Sequence, residues 1–542
     1  MHKRALVSLV CAGAMTFGIA GVGRAQTFAS GEPVLQQIWQ QGMVNSQAYK
    51  FAQALIDSVG PRLTGSPEHK AGNEWLAAVY RSLGVEVRNE QYGTWKGWRR
   101  GTTHIDLLTP RVRSLEGLML AWSPGTGGRA VEGPAIVLVD ARSPQDFQQW
   151  LPQVRDKFVL ISAPEPTCRP DTNWQQGTTP ANYEKMLRDR AASDSLWSLR
   201  VQNTVTTANR ELPRVLEQAG ALGIINSNWV GGWGVSRVFN AQTRQVPSVQ
   251  LSCEDYGLVY RLAENNDAPT LRLTAESQDL GEVPVFNTIA TMRGSQLPNE
   301  YVMMSAHFDS WDASGGATDN ATGTTVMLEA MRILKQVYPN PKRTILVGHW
   351  GGEEQGLNGS RAFAADHPEV VQGLQALFNQ DNGTGRVANI SMGGLAKAGD
   401  FFIRWHARLP KEISQQVNLN IPGRPAGGGS DHASFICHPY GAPAFGLSSV
   451  NFDYSAYTWH SNRDTFDKIS FEDLKHNATL TAMVVYLASE EPEKIPRDRI
   501  DLAAAAAANP GRGGGGRGGR GGGPPTWPNC SEPQRNSTNY FR

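Results

Sequence analysis

The chain has 542 residues, 40% of them hydrophobic, which is ample for a packed core and rules out intrinsic disorder for most of its length. Its 51 Lys+Arg against 50 Asp+Glu leave a formal charge of +1, with cations gathered at the ends: Lys3, Arg4 and Arg24 at the start, and five Arg against Glu532 after Ala505. The body between is mildly acidic, so nucleic acid or an anionic membrane is not an expected partner, and the length excludes a single small module.

Residues 1–25 read as a signal peptide. Met1-His2-Lys3-Arg4 precedes an apolar, Ala/Gly-rich run from Ala5 to Val22, then Gly23-Arg24-Ala25 with small residues at −3 and −1 of a cut after Ala25. Ser8, Gly13 and Gly18 interrupt the run, which is short for a membrane span, and no later stretch approaches ~20 uninterrupted apolar residues. The mature protein is expected to be secreted or periplasmic. Cys11 leaves with this segment. Cys168, Cys253, Cys437 and Cys530 remain, with three complete pairings open and no Cys-x-x-Cys spacing for a sulfur-ligated metal.

Residues 26–113 form the first part of the main domain. Ser66-Pro67 is an N-cap followed by proline at the first helical position, and Trp75, Leu76, Val79, Tyr80 and Leu83 predict an amphipathic helix stopping at Gly84. Residues 114–276 change to short β-branched runs, Ala135–Val139, Phe158–Ser162 and Val246–Leu251, cut by Gly and Pro, with one helical stretch around Leu212–Ala221, and predict a separate, mostly β insertion. From 277 to 495 strands alternate with helices: Asn287–Met292, Tyr301–Ser305, a helix Gly323–Val337, Thr344–His349, a helix near Ser360–Ala365, Ala376–Asn379 and a last helix near Phe471–Ser489. That alternation predicts a layered α/β sheet. Residues 496–542, with "NPGRGGGGRGGRGGGPP" at their centre, are expected to be a disordered Gly/Arg-rich tail.

Chemistry concentrates where strands end. Tyr301–Ser305 runs into His307 and Asp309; a ligating imidazole usually donates its second N–H to a carboxylate, a role open to Asp309. Asp319 follows at a strand-to-helix turn, and Asp381 ends the apolar run "ALFNQDNG". Between them, Glu353-Glu354 follow a buried-looking strand, where adjacent carboxylates are costly unless a positive charge joins them. A dication is the simplest answer, with one glutamate as ligand and its neighbour as base. His460 in "YTWHSNRDT" completes five O/N donors: His307, Asp319, Glu354, Asp381 and His460. The set suits zinc, with cobalt or manganese as substitutes. Five donors exceed one open catalytic tetrahedron; with one carboxylate bridging they serve two ions about 3.5–4 Å apart.

"AHFDSWD", "TDNATG", "GGEEQGLNGS", "NQDNG" and "HSNRDT", in this order and spacing over about Leu35–Glu490, resemble the co-catalytic di-zinc exopeptidases. That family includes bacterial leucyl aminopeptidases, glutamate carboxypeptidase II and carboxypeptidase Q, and "FNTIATMRGS" is most similar to the last. The resemblance implies an α/β/α catalytic domain with a central mixed sheet, and the insertion resembles a protease-associated domain. It further implies two zinc ions bridged by Asp319, His307 and Asp381 on one, Glu354 and His460 on the other. Glu353 is then the general acid/base and Asp309 orients His307. Ser430–Phe435, "SDHASF", resembles a motif lining the site, where Asp431 and His432 support the substrate or the ligands. Asn320 departs from carboxypeptidase Q, which has a second aspartate there, and a glycan on the Asn320-Ala-Thr sequon would block the cleft, so it is expected unmodified.

Peptides or dipeptides are the implied substrates, and the family contains both aminopeptidases and carboxypeptidases. Arg386 and Arg424 are the two arginines weighed as binders of a terminal carboxylate against a role as ordinary surface residues. A single-zinc, glutaminyl-cyclase-like acyltransferase and a non-catalytic receptor-like module are the rival readings; metal content and sensitivity to chelation separate them. Monomer and homodimer both stay open.

Overall fold

The computed structural model describes residues 31–204, 211–381, 383–504 and 526–541. The segment read as a signal peptide and the Gly/Arg repeats lie outside the described residues. Among the described residues no helix is long and apolar enough to cross a membrane.

The elements that position the site are α1 (Pro67–Ser82), β1 (Glu86–Thr109), β2 (Thr270–Met292), β3 (Leu297–His307), α2 (Thr322–Val337), β4 (Arg343–Trp350), α3 (Asn358–Asp366), β5 (Leu374–Asn379), β6 (Ala444–Ser449) and α4 (Phe471–Glu490). α1 starts as expected: Ser66 caps it by accepting from His69 N, and Pro67 stands at its first position. In the sheet β4, β3, β5 and β6 run parallel in that spatial order, while β2 joins β4 antiparallel and β1 pairs with β2. The fold is thus α/β with a central mixed sheet. All eight residues of β4 and all six of β5 are buried, because helices cover both faces. Val326, Ala330 and Leu334 of α2 join Leu480, Val484 and Leu487 of α4 in the core over one face. Met303, Leu346 and Leu377 pack with Phe363 of α3 and Phe435 over the other.

The segment 114–276 differs from expectation: it carries more helix than strand. Val131–Val137, Phe158–Leu160, Gly223–Asn226 and Ser248–Leu251 pair in parallel one after the next, Gly117–Met119 adds antiparallel to the last, and Val131–Val137 pairs with β2, so the sheet continues from the main domain. Between them lie the helices Pro144–Trp150, Asp171–Gly177, Pro180–Gln202 and Leu212–Gln218, and after the last strand comes Cys253–Glu264. The prolines that look like strand breakers are helix starts: Pro144 follows a Ser143 cap and Pro180 a Thr179 cap. Pro180–Gln202 buries only Met186 and Val201, so no apolar stripe announces it.

The end of the chain is a second correction. Residues 526–541 are ordered against the body rather than part of a disordered tail. Cys530 is disulfide-bonded to Cys437, Trp527 Nε1 donates to Ile436 O at 2.9 Å, and Arg535 pairs with Asp366 at 2.7 Å. Tyr540 and Phe541 pack on Trp95 and Trp122. Aromatic rings and a covalent anchor offset the cost of ordering this segment. The other bridge joins Cys168 to Cys253 within the inserted segment.

Candidate metal centre

Three adjacent parallel strands deliver side chains to one sheet edge, their carboxyl ends, where open α/β sheets place ligand sites. β3 ends on His307, the turn after β4 carries Glu353 and Glu354, and Asp381 follows β5. Asp319 enters from the turn Ala317–Ala321 that leads into α2, and His460 from the loop after Tyr454–Thr458.

The side chains converge as two trios sharing Asp319. His307 Nε2 stands 3.1 Å from Asp381 Oδ1 and 3.2 Å from Asp319 Oδ1. His460 Nε2 stands 3.2 Å from Asp319 Oδ2 and 2.8 Å from Glu354 Oε2. Within each trio the ligand atoms lie within 4.8 Å of one another. Donors bound tetrahedrally at about 2.0 Å from one ion sit roughly 3.3 Å apart, so this spacing fits a cation in each trio. The hydrogen-bond inventory agrees: one Nε2–H cannot serve two carboxylates equally, and Glu354 Oε1 is buried with no hydrogen-bond partner among the described residues.

The electrostatics carry the same signature. Burial alone would lower the His307 pKa, but Asp381, Glu353, Asp309 and Asp319 drive it well above the usual imidazole value. His460, where burial is opposed by Glu354 and Asp319, reaches about 10. Burial raises Glu354 to about 7 despite His460, and pushes Glu353 well up, with Asp381, Asp431 and Glu354 adding to burial and His307 opposing. Acids and imidazoles gathered this closely and perturbed this strongly by burial and by one another mark a candidate functional site.

Asp309 acts differently from the role expected of it. His307 Nδ1 is 3.0 Å from the main-chain oxygen of Asp309, while the carboxylate is 3.7 Å away. That carboxylate accepts instead from Glu353 N at 3.1 Å, Glu354 N at 3.3 Å and Thr64 Oγ1 at 3.1 Å, so it holds the glutamate turn. Asp431 is fully buried and His432 lies against β6, its ring 3.1 Å from where a Gly446 side chain would begin; neither lines the cavity over the trios. Burial takes Asp431 up to about 7, against His307, and His432 down to about 4. Arg386 is ion-paired to Asp473 at 2.8 Å, and Arg424 is exposed in a loop; neither reaches the cavity. Asn320 is buried, its Nδ2 donating to Gln380 O and its Oδ1 accepting from Gly323 N, which leaves no room for a glycan on the folded protein.

Four contributors escaped the motif reading. Arg62 is completely buried and donates to the carbonyls of Phe308, Gly60, Gly315 and Gly316 at 2.8–3.0 Å, bracing the loop after β3; burial lowers its pKa to about 10 against Asp464, Asp309 and Asp319. Asp464 accepts from Thr318 N, Thr318 Oγ1 and Asp319 N at 2.8, 2.8 and 3.0 Å, which fixes the Asp319 turn. It stands four residues after His460 in a stretch already singled out, and that proximity was a usable signal. From the insertion, Val238 N donates to His460 O at 2.9 Å and Phe239 packs edge-on to the His460 ring, so this segment helps hold a ligand loop. Arg361 of α3 lines the cavity. Asp464→Asn keeps the shape of the Asp464 side chain but aims an NH2 at N–H donors, and is expected to weaken metal binding about 10–100-fold with the fold intact, read by competition against a chromophoric zinc chelator. Unchanged affinity would mean the turn is held by other contacts.

Residues 287–485 match the profile described as Peptidase family M28, a stretch that contains all five donor residues and Glu353. Within these residues the chain carries a Peptidase family M28 domain. It is 24% identical over 457 residues to carboxypeptidase Q from Mus musculus, covering 84% of this chain and 88% of that one, and 23% identical over the same length to the Homo sapiens protein. Among solved structures, a Peptidase M28 precursor from Shewanella amazonensis SB2B superposes with a TM-score of 0.63 at 24% identity, over 85% of this chain and 97% of that one. BSAP, a zinc aminopeptidase from Bacillus subtilis, gives 0.53 at 21% identity, over 84% and 97%. These likenesses show a shared fold over most of each chain. The family also agrees with the enzyme class read from the motifs, a metallo-exopeptidase.

Proposed function

We propose that this chain is an exported, two-zinc exopeptidase that hydrolyses terminal bonds of short peptides. The observation that carries the reading is the pair of trios sharing Asp319, with Glu353 beside them in the same cavity. His307 and Asp381 would hold one zinc, Glu354 and His460 the other, and Asp319 both. Zinc held there would acidify a water molecule and polarise a peptide carbonyl. Glu353 takes the proton from the attacking water and delivers it to the leaving amine. Asp309 keeps Glu353 aimed by holding its main-chain N–H.

A single-zinc acyltransferase needs only one of the trios, so the doubled set favours hydrolysis. Export rests on the signal-peptide pattern of residues 1–25, and both cystine bridges are consistent with an oxidising compartment. The segment 114–276 serves as a protease-associated-like cap that steadies the His460 loop. The test is metal analysis of the purified chain together with free, N-blocked and C-blocked dipeptides. Two zinc ions per chain and cleavage of free dipeptides are expected. One zinc, or no cleavage of any of the three by zinc-loaded protein, would overturn the proposal.

A further inference from the structure

The cavity over the two trios holds about 410 Å³ and its lining is chemically lopsided. Four carboxylates, Asp319, Glu353, Glu354 and Asp381, share it with His460, Tyr454 and Trp459, and among the described lining residues Arg361 is the sole lysine or arginine. Arg361 projects from the first turns of α3, just past the glutamate turn. Its Nη1 reaches back to 4.0 Å from the point where a β-carbon on Gly356 would lie. The acids that act on it are Asp431 and Glu353, yet among the described residues no acceptor stands within ion-pairing distance of its guanidinium. The arginines near the site differ: Arg62 is saturated by four carbonyls and Arg386 by Asp473. A half-buried guanidinium open to a cavity presents the planar donor fork that suits a carboxylate.

The chemistry of that ligand follows from charge and distance. Two dications would offset the four lining carboxylates, leaving the Arg361 charge unmatched within the lining, so an anionic group is favoured there. In a dipeptide the terminal carboxylate lies one residue beyond the scissile bond, and one extended residue spans at most about 3.6 Å. A receptor for it must therefore share the cavity with the catalytic groups, as Arg361 does. We propose that Arg361 binds the free C-terminal carboxylate of the substrate and so sets the preference for an unblocked C-terminus at this site. The inference rests on the zinc-exopeptidase reading above and adds to it the end of the substrate that is recognised.

The test compares one dipeptide with its C-terminal amide on the zinc-loaded full chain, for the wild type, Arg361→Ala and Arg361→Gln. The wild type is expected to favour the free acid by about 10–100-fold in kcat/KM, the range of a charge-assisted hydrogen-bonded pair. Both variants should lose that preference by slowing on the acid while changing less than about twofold on the amide, with zinc content unchanged. Calorimetric binding of the acid to the slow Glu353→Gln protein should weaken by a similar factor when Arg361 is also replaced. Equal wild-type rates on acid and amide, or an equal fall on both in the variants, would overturn the assignment while leaving the peptidase reading standing. Cleavage of neither compound by the wild type would overturn both. Should Arg361→Ala fail to fold, the acid-to-amide ratios of the wild type and Arg361→Gln decide the question alone.

Discussion

Glu353→Gln should lower kcat by about 10²–10⁴-fold, equivalent to roughly 3–5 kcal/mol of barrier, while both metal positions stay filled. The expectation follows from separate duties in adjacent residues. Glu354 Oε2 lies 2.8 Å from His460 Nε2 and belongs to a trio, whereas Glu353 lines the cavity outside both trios. A glutamine at 353 keeps the size of the side chain and the Glu353 N–H bond to Asp309, so the turn and the neighbouring ligand should persist. What it cannot do is take a proton. Zinc content by atomic spectroscopy and single-turnover rates on a free dipeptide, measured on one preparation, separate the two duties. A variant that keeps two zinc ions and hydrolyses at near wild-type rate would remove Glu353 from the chemistry. One that loses zinc would make it a ligand.

Legibility in the sequence tracked whether a residue's physical reason was local. His307, Glu353-Glu354 and Asp381 each end an apolar run, so their polarity stands out against a buried strand, and the parallel order of β4, β3 and β5 brings three such ends side by side. Asp319 and His460 were readable because donor counting demanded partners for the others. Arg62 had no such context: its four carbonyl acceptors come from residues 60, 308, 315 and 316, and only the folded chain makes them neighbours. Arg361 hid for the opposite reason, as one more cation on an amphipathic helix. Arg386 and Arg424 are nearer to Asp381 and the "GGGSDH" loop in sequence, yet the chain turns both away from the cavity.

The two structural departures have a shared cause, which is that composition was averaged over elements too short for it. Helix starts at Ser143-Pro144 and Thr179-Pro180 carry the same signature as Ser66-Pro67, but without an apolar stripe behind them they read as turns. At the other end, the glycines and arginines before residue 526 outweigh Trp527, Cys530, Tyr540 and Phe541 in any window that includes both. The packed end matters for the site's surroundings: Arg214 of the insertion donates to Phe541 O at 2.6 Å, and Tyr540 packs on Trp95 of the main domain, so the C-terminal residues tie the inserted segment to the main domain.

Removing the metal should abolish hydrolysis and also destabilise the fold, by an amount that grows with pH. Glu354 and Asp464 have folded-state pKa values raised to about 7, chiefly by burial, and Asp431 likewise. An acid whose folded pKa is raised contributes stability that is fully present below its unfolded value near 4.5 or 3.8 and is lost as pH rises through about 7. His460, raised to about 10 by Glu354 and Asp319 in spite of burial, works in the same direction: its contribution is whole below about 6.5 and fades towards 10. The metal-free protein is therefore least stable at alkaline pH, while zinc, which must displace these protons to bind, binds best there. His69 and His432, held near 4 by burial, and His349, held near 3, pull the other way: folded pKa values below 6.5 cost stability as pH falls beneath that value. That penalty is common to both forms for His69 and His349, which lie outside the trios, and cancels when they are compared. Thermal unfolding at pH 5.5 and 8.0, with chelator and with excess zinc, reads the difference directly. At zinc concentrations about 1,000 times Kd the stabilisation should approach ~4 kcal/mol, with the larger zinc-dependent rise in Tm at pH 8.0. An equal or larger rise at pH 5.5 would mean that the ion does not replace protons on Glu354 and His460, and that those two residues are not its ligands.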